Sequence, residues 1–358
     1  MGSRSFNVVV VIFWVATMSW LVGDKVLPLL KVGEPPNYRS VLAREAKAPP
    51  VCWTIDWNGK PLGWAASKVI RRDDDMTEMH SRVFFGRLPL DEIAPGWLGA
   101  FVRPALEDGN SLDMDARSRL EVDPLGRLVG FESKVRLANI REAIKMQGRI
   151  DGANLKLNVQ SGQFVYKTEK YLPQNSLVSD ALSPQAQLPG LRVGQTWTMP
   201  VYSPFRPPNS PLEILQASVD RNELIVWNGR PVNTRLVVYR SDSGSGVLAN
   251  QERRGKLWVQ PDGMVLKQEI SVFNSQLHFV RLSEAQGKLL SDALGEEWAV
   301  ELGTKRSLKL LERLGEAQAD PAQADSAELE PAPSRPNQPS RAAAEASTGA
   351  AGPAREAP

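Results

Sequence analysis

The chain has 358 residues, with 43 basic and 41 acidic side chains and a net charge of +2. This length suits one large domain or two ordinary ones, and the balanced charge argues against a nucleic-acid binder, which normally carries a basic face. With a single cysteine, Cys52, and two histidines, His80 and His278, the chain can form neither an intrachain disulfide nor a structural zinc cluster of Cys/His type.

The chain begins with an uncharged apolar segment, FNVVVVIFWVATMSWLV, at residues 6–22. At about 1.5 Å per residue, this segment is close to the shortest helix that spans a bilayer. A cleaved signal peptide is the alternative, but Trp14 and Trp20 are bulky and no small-x-small cleavage site follows. We therefore predict a membrane anchor or signal over residues 1–32, followed by a linker over residues 33–50.

The phrase WNGKP at residues 57–61 recurs as WNGRP at residues 227–231. Asn-Gly is the strongest short hairpin signal, because both central residues of a type I′ turn need positive φ. In the second copy, Trp227 is expected to face Arg230. In the first copy, the same turn predicts that Trp57 faces Lys60 and that Trp53 faces Trp64, so one face of the hairpin carries Trp53, Ile55, Trp57, Leu62 and Trp64.

A second phrase also recurs, since LEVDPLGRL (120–128) and LWVQPDGMV (257–265) share the frame L-x-V-x-P-x-G. Pro followed two residues later by Gly is typical of a turn between strands. Two matched phrases in the same order suggest two related β units. The phrases lie farther apart in the first half, where residues 88–109 suggest a helical insert around 90–106. Convergent turn chemistry is the alternative explanation.

Alternation of apolar and polar residues predicts further antiparallel strands. These are FESKVRLA (131–138), NLKLNV (154–159), QFVYKTEKY (163–171), KLWVQ (256–260), MVLKQEISVF (264–273) and QLHFVRL (276–282). Such a series is the pattern of a mainly β protein with an antiparallel curved sheet or half-barrel. We predict a first β unit with the helical insert over residues 51–182 and a second β unit over residues 183–282.

A helical segment at residues 283–314 is expected to close the ordered region, with Leu308, Leu311 and Leu314 on one face. Residues 315–358 are rich in Ala, Pro, Glu, Ser and Gln. A segment of this composition cannot bury enough apolar surface to offset its chain entropy, so we predict a disordered tail.

The second half resembles a bacterial family of exported β-rich proteins of unknown function. The resemblance is carried by LPGLRVGQTWTMPV (188–201), VDRNE (219–223), WNGRPVNTRLVV (227–238) and KLWVQPDGMVLKQE (256–269). In that family, a loxGxxW element opens a β-meander that ends in a lWvd.dG.vlr.e hairpin. More distantly, the chain is similar to the curved half-barrel with a helical lid found in periplasmic lipoprotein carriers and lipid-binding relatives. The resemblance implies export and offers no catalytic residues.

Export would place the domain in the periplasm, tethered to the inner membrane. The charges near the apolar segment favour the opposite orientation. Only Arg4 precedes it, whereas Lys25 and Lys31 follow, which by the positive-inside rule favours a cytoplasmic domain. We give the resemblance more weight than so few charges, and the orientation stays open.

The sequence shows no strong catalytic or metal-binding pattern. Cys52 opens a strand after two prolines, whereas activated cysteines usually lie at a helix N-terminus or beside a cation. His80 is expected in a polar turn and His278 on a strand face. Asp73, Asp74 and Asp75 lack the spacing of a calcium loop and suggest a turn. We predict no metal, no cofactor and no enzymatic activity.

The leading hypothesis is a membrane-tethered cell-envelope β-protein that binds an apolar or amphipathic ligand of lipid or lipoprotein type. The concave face that would hold the ligand is predicted to be lined by Trp53, Trp57, Trp64, Trp197, Trp227 and Trp258. The alternative for these side chains is that they fill the core. A second hypothesis is a structural or assembly protein of the envelope, without a small-molecule ligand. A third is an enzyme, for instance one that uses Cys52, or the accessory domain of an enzyme.

Overall fold

The computed structural model describes residues 4–22, 35–45, 49–89, 111–137, 140–172, 177–202, 212–241, 253–272, 275–295 and 304–319. The predicted helix at 90–106 lies outside these residues, as does most of the predicted tail, from residue 320 onward.

Four helices are present in the described part of the chain: α1 (Arg4–Leu21), α2 (Tyr38–Glu45), α3 (Glu284–Leu294) and α4 (Thr304–Ala319). α1 coincides with the predicted membrane segment. Among the described residues, however, no helix combines the length and apolarity that crossing a bilayer requires. The predicted single-pass span is therefore not confirmed.

Two helices depart from the predicted boundaries. α2 lies within the predicted linker at residues 33–50, where Tyr38 and Leu42 are four residues apart and therefore share one helix face. Both side chains are buried in the core, which holds this part of the chain in place. α4 continues to Ala319, so the helix extends past residue 314, where the tail was predicted to begin.

Fifteen strands in the described ranges form one sheet. They are β1 (Val51–Trp57), β2 (Lys60–Arg71), β3 (Thr77–Pro89), β4 (Ser111–Val122), β5 (Leu128–Leu137), β6 (Ile140–Asp151), β7 (Asn154–Ser161), β8 (Phe164–Tyr171), β9 (Ser179–Asp180), β10 (Thr196–Tyr202), β11 (Leu212–Trp227), β12 (Arg230–Ser241), β13 (Arg253–Val259), β14 (Val265–Val272) and β15 (Ser275–Arg281). The predicted mainly β, antiparallel fold is confirmed.

The sheet is a meander whose first and last strands meet. Its order is β8-β7-β6-β5-β4-β3-β2-β1-β15-β14-β13-β12-β11-β10-β9, and the short β9 is parallel to β10. The β1–β15 pair joins the two ends of the meander in the middle of the sheet. The open edges, β8 and β9, are therefore consecutive strands of the chain, and the two predicted β units belong to one continuous sheet.

The sheet is strongly curved. Phe131 on β5 stacks on Tyr202 on β10, with ring centroids 4.1 Å apart. These strands are ten positions apart in the sheet, which in a flat sheet would separate them by about 48 Å. The contact therefore shows that the sheet curls around the face on which both rings lie, and we call this face the inner face.

The inner face is filled by the chain itself. Residues 177–191 lie against it, and Leu182, Leu188 and Leu191 of this segment belong to the same buried cluster as the inner strand positions. The Tyr38 hydroxyl of α2 donates a hydrogen bond to the carbonyl oxygen of Val178, 2.6 Å away. The hydrophobic core is therefore the interior of the curved sheet.

The outer face of β1–β3 is covered by α3 and α4. A separate buried cluster joins Trp64 and Phe84 of the sheet to Leu290 of α3 and Leu314 of α4. The Trp64 indole N–H donates to the Ser307 carbonyl, 3.3 Å away, which ties α4 to the sheet. Leu308 and Leu311 pack against this cluster, so the predicted apolar helix face is confirmed.

The positions of the turns do not support a duplication that contains the two repeated phrases. In the first half, the Asn-Gly turn joins β1 to β2 and the Pro-x-Gly turn joins β4 to β5. Because strands alternate in direction, these turns lie at opposite ends of the sheet. In the second half they join β11 to β12 and β13 to β14, at the same end. A duplication would preserve this relation, so convergent turn chemistry is the better explanation.

Candidate functional site

The six candidate tryptophans do not line one surface. Trp53, Trp57 and Trp197 are part of the inner core. Trp64 lies under the helices on the outer face, and Trp258 forms an outer-face cluster with Leu236 and Val238. Trp227 is half-buried, and its indole N–H donates to the Arg281 carbonyl at 2.9 Å. The common ligand-lining surface predicted from the sequence is therefore not formed.

The prediction that Trp53 lies opposite Trp64 is wrong because β2 contains a bulge. Trp57 faces Lys60 as expected, but the register shifts between Ile55 and Asp56, and Trp53 then faces Ala65. One extra residue turns Trp64 to the outer face. A glycine inside a strand often marks such a bulge, and a Cβ at Gly63 would lie 1.9 Å from the Phe84 carbonyl oxygen.

The inner face contains a small cavity among the described residues. A cavity of about 90 Å³ lies between β2, β3 and the segment 177–187, lined mainly by apolar side chains such as Val51, Met79 and Leu120. Ligand sites for drug-sized molecules usually measure about 300–1,000 Å³. The inner face therefore offers less room there than a lipid chain needs.

A buried polar cluster fastens the segment 177–191 to the inner face. Asp180 is fully surrounded by protein, and burial raises the pKa of its carboxyl group. The carboxylate accepts hydrogen bonds from the hydroxyls of Ser118 on β4 and Ser183, the latter 2.9 Å away. Ser81 on β3 adds a hydroxyl contact of 2.6 Å with Ser183. These bonds compensate the cost of burying the carboxylate.

A cavity with an apolar lining and charged groups at its rim lies at the end of the sheet, beside α4. We call it the end cavity. It measures about 430 Å³ and is lined by Trp57, Asn58, Lys60, Pro61, Leu62, Gly86, Arg87, Leu308, Leu311 and Glu312. It therefore combines the tip of the first Asn-Gly hairpin, the end of β3 and one face of α4.

The β3 side of the end cavity is shaped by a second bulge. The pairing of β3 with β4 shifts between Phe85 and Leu88. Within this bulge Arg87 adopts a positive φ of 55°, and its backbone N–H donates to the Asp113 carboxylate, 2.9 Å away. A Cβ added at Gly86 would lie 3.0 Å from the Leu308 side chain, so the bulge brings β3 against α4.

The end cavity has an apolar interior and a charged rim. Leu62 and Trp57 are buried at its base, and Leu308 is half-buried on the α4 side. Lys60 and Arg87 are exposed at the rim together with one carboxylate, that of Glu312. Among the lining side chains, positive charge exceeds negative charge beside an apolar space, and the Asp113 carboxylate lies next to Arg87.

The outer face of the central strands carries a row of charged side chains. Glu269 on β14 lies 3.0 Å from the Lys256 ammonium, 3.1 Å from the Lys267 ammonium and 3.3 Å from His278 Nδ1. Partial burial acts against ionisation of Glu269, but hydrogen bonds from the two lysines lower its pKa overall. Lys267 also lies 4.8 Å from the ring centroid of Trp258. His278 therefore lies on a strand face, as predicted, and Glu269 is its carboxylate partner.

The remaining candidates for chemistry have structural surroundings. Cys52 is buried, its thiol donates to the Gly287 carbonyl at 3.4 Å, and burial raises its pKa to about 12. The thiol is therefore protonated near neutral pH, unlike an activated nucleophile. His80 lies within β3 rather than in a turn, with Nε2 2.7 Å from the Glu78 carboxylate. Among the described residues, no group of three metal-ligating side chains is present.

These features define a β-rich protein with a barrel-like curved sheet and a helical cover. No protein-family model matches the chain, and no curated protein is significantly similar to it. Among solved structures, it is similar to a β-barrel-like protein of the domain of unknown function DUF1849 from Brucella abortus. The sequence identity is 8% and the TM-score 0.41, over 70% of this chain and 98% of that chain.

A second solved structure with some similarity is a DUF1089 family protein from Pseudomonas aeruginosa. The sequence identity is 16% and the TM-score 0.28, over 56% of this chain and 87% of that chain. Neither name gives a ligand or an activity. The resemblance to periplasmic lipid carriers remains a prediction.

Sequence reasoning identified part of the end cavity and missed the rest. It identified Trp57 as a candidate and placed Leu308 and Leu311 on one helix face. It missed the bulge at Arg87, for which Gly86 was the available signal, because a glycine inside a strand often marks a bulge. It also missed Asp180 and its serines, because hydroxyls brought together from separate strands leave no local pattern.

Proposed function

We propose that the protein binds an amphipathic ligand, with an apolar chain and an anionic head group, in the end cavity and without catalysing a reaction on it. The observation that supports this function is the cavity itself. Its volume of about 430 Å³ falls within the range of small-molecule sites, which are concave, mostly apolar and equipped with a few polar groups.

The charge at the rim favours an anionic head group. Among the side chains that line the end cavity, Lys60 and Arg87 provide two cations and Glu312 provides one carboxylate. The apolar side chains of Trp57 and Leu311 then provide the surface for the hydrocarbon part. The fold itself provides rigidity, because Trp57 is fixed by a tight turn and α4 is fixed by its packing on β2 and β3.

Binding of a fluorescent fatty acid to the purified full-length protein tests this function. Leu311→Trp should fill the cavity and weaken binding by about tenfold or more. Leu289→Trp is the matched control, because Leu289 is 64% exposed on α3 and does not line the cavity. Equal binding by both variants and the wild type would show that the ligand binds outside the end cavity. No binding by the wild type would exclude this class of ligand.

The rim is tested by a second matched pair. Lys60→Glu should weaken binding of the anionic probe, while a neutral fatty alcohol of the same chain length should bind as before. Arg230→Glu is the control, because Arg230 occupies the same place in the second WNG hairpin but does not line the cavity. A similar loss in both variants would indicate a general charge effect.

Placement at the cell envelope is a further part of the proposal. α1 exposes its apolar side chains, with Phe13 71% and Trp20 76% exposed, which favours association with a membrane. Flotation with vesicles, with and without residues 1–32, measures this association. A C-terminal alkaline phosphatase fusion, which is active only after export, tests whether the sheet domain is periplasmic. An inactive fusion would contradict that location.

A protein–protein role in envelope assembly is the second candidate. It is favoured by the inner face, which is filled by the chain's own residues 177–191 and leaves only about 90 Å³ in the cavity beside Asp180. In that case the protein would act through its surface. Crosslinking with and without residues 320–358 tests whether the tail contributes to partner binding. An unchanged set of crosslinked partners would show that it does not.

A further inference from the structure

The sheet has a long exposed edge at β8, Phe164–Tyr171, with the sequence FVYKTEKY. In the described part of the chain, β8 pairs with β7 on one side and stands at the end of the strand order. Its side chains are largely exposed, including Val165 at 57% and Tyr171 at 73%. An edge of this length presents a row of backbone groups to which another strand can add.

The register with β7 determines which backbone groups point away from the sheet. The Leu172 N–H donates to the Ala153 carbonyl, 2.8 Å away, so Leu172 belongs to the set that bonds toward β7. In an antiparallel ladder, alternate residues bond to the same neighbour. The N–H and C=O groups that face the open edge are therefore those of Val165, Lys167, Glu169 and Tyr171.

We propose that β8 pairs with β8 of a second copy of this chain, antiparallel and centred on Thr168. A two-fold axis perpendicular to the sheet passes between the two Thr168 residues and keeps the inner face continuous across the dimer. The facing pairs are then Thr168 with Thr168, Lys167 with Glu169, Tyr166 with Lys170, Val165 with Tyr171 and Phe164 with Leu172.

This register pairs the outward-facing backbone groups of the two copies and also places opposite charges directly across from each other. The outward-facing set pairs with itself, because Lys167 is opposite Glu169 and Val165 is opposite Tyr171, as a hydrogen-bonded ladder requires. Each copy places its Lys167 ammonium against the Glu169 carboxylate of the other, so the symmetry creates two opposite-charge pairs. Cross-strand pairs of opposite charge stabilise a sheet, and like charges placed directly opposite destabilise it.

The apolar side chains fit the same register. Val165 and Tyr171 are exposed on the single chain and would cover each other in the dimer. Lysines on an edge strand can also serve to prevent pairing with other strands. In the proposed register, however, Lys167 has an acidic partner and Lys170 lies beside the Tyr166 ring. Lysines that served only to block pairing would not need such partners.

The charges provide the first test, by sedimentation of the full-length protein in mild detergent at about 100 µM, where a contact of micromolar Kd is populated. Lys167→Glu and Glu169→Lys each create two like-charge pairs and should raise the dimer Kd about tenfold. The double variant K167E/E169K should restore it. An equimolar mixture of the two single variants should form a mixed dimer with restored affinity.

The two-fold axis provides the second test. Thr168→Cys should form a disulfide between copies under mild oxidation, because directly opposite residues have Cβ atoms about 4.5–5.5 Å apart. Lys170→Cys is the matched control on the same face, since each residue 170 is opposite residue 166 rather than its own copy. The wild type is a further control, because its one cysteine, Cys52, is buried.

Two outcomes of the first test would overturn the proposal. One is a wild-type protein that stays monomeric at this concentration. The other is a dimer whose Kd is unchanged by Lys167→Glu and by Glu169→Lys, which would indicate association through another surface such as α1. In the second test, disulfide formation by the Lys170→Cys variant as efficient as that by the Thr168→Cys variant would contradict the register.

Discussion

The two Asn-Gly hairpins have nearly the same sequence and different surroundings. Their turns agree closely, with φ values of 49° and 79° at Asn58 and Gly59 and of 47° and 72° at Asn228 and Gly229. The first hairpin is buried around Trp57 and lines the end cavity. The second is exposed on both sides of its turn, including 76% of Val226.

The repeated phrase therefore determines the conformation of the turn but not the surroundings of the hairpin. In each hairpin, the proline lies opposite a residue of the partner strand with which it shares no backbone hydrogen bond. Proline is tolerated at such a position because its missing N–H is not needed there. The hairpins diverge at the next residues. Gly63 permits a bulge and a close approach to β3, whereas Asn233 continues a regular ladder. Residues outside the phrase therefore decide what the tryptophan contacts.

Truncation of the two tryptophans should give the largest contrast between the hairpins. Trp57→Ala removes a side chain that is 6% exposed and should lower the free energy of unfolding by about 3–5 kcal/mol. Trp227→Ala removes a half-buried ring and one hydrogen bond, and should cost about 1–2 kcal/mol. Urea denaturation followed by circular dichroism measures both, and equal losses would mean that the environments are alike.

The second contrast concerns the residue that separates the hairpins. Gly63→Ala would place a Cβ 1.9 Å from the Phe84 carbonyl oxygen, so β2 or β3 must shift, at a cost of about 1–3 kcal/mol or more. Asn233→Ala, at the corresponding place, changes an exposed side chain and should alter stability by less than about 0.5 kcal/mol. A tolerated Gly63→Ala would contradict the bulge as the cause of the divergence.

The turns themselves should respond equally. Asn58→Ala and Asn228→Ala each place alanine in the left-handed region, which costs an L-residue about 1–2 kcal/mol. Because the φ values match, the two losses should agree within about 0.5 kcal/mol, and the double variant should be additive, since the sites share no contacts. A much larger loss at Asn58 would show that the end cavity depends on that turn beyond its backbone conformation.

The fold was predictable from the sequence where the signals are local. The Asn-Gly and Pro-x-Gly turns and the alternating segments gave most strands, because each depends on a few neighbouring residues. The meeting of β1 with β15 was not predictable, since the partners are far apart in the chain. Neither was the filling of the inner face by residues 177–191, which depends on the curvature of the whole sheet.

The candidate site was predictable to a smaller extent. The prediction used an unbroken two-residue period through β2, and one extra residue at the bulge was enough to move Trp64 to the other face. The end cavity also needs α4, whose position over β3 is decided by tertiary packing on Phe84 and Trp64. A glycine within a strand was the one local warning, at both Gly63 and Gly86.

The smallest expected difference between the hairpins is in their pH dependence. Asp56 of the first hairpin corresponds to the exposed Val226 of the second. Burial raises the pKa of Asp56, although the charges of His278 and Lys267 act in the opposite direction. The folded state then binds this proton more tightly than the unfolded state, whose pKa is about 3.9. The stabilising effect is present below that value and is lost as pH rises through the folded pKa.

Asp56→Asn does not titrate, so its stability relative to the wild type should increase between about pH 3 and pH 7. Asp123→Asn is a control of opposite sign. Burial alone would raise the pKa of Asp123, but hydrogen bonds from Arg127 lower it overall. The wild type therefore gains stability as pH rises, and the stability of Asp123→Asn relative to the wild type should decrease. Urea midpoints at several pH values measure both trends. If the stabilities of both variants relative to the wild type changed in the same direction with pH, the burial of Asp56 would not explain the result for Asp56→Asn.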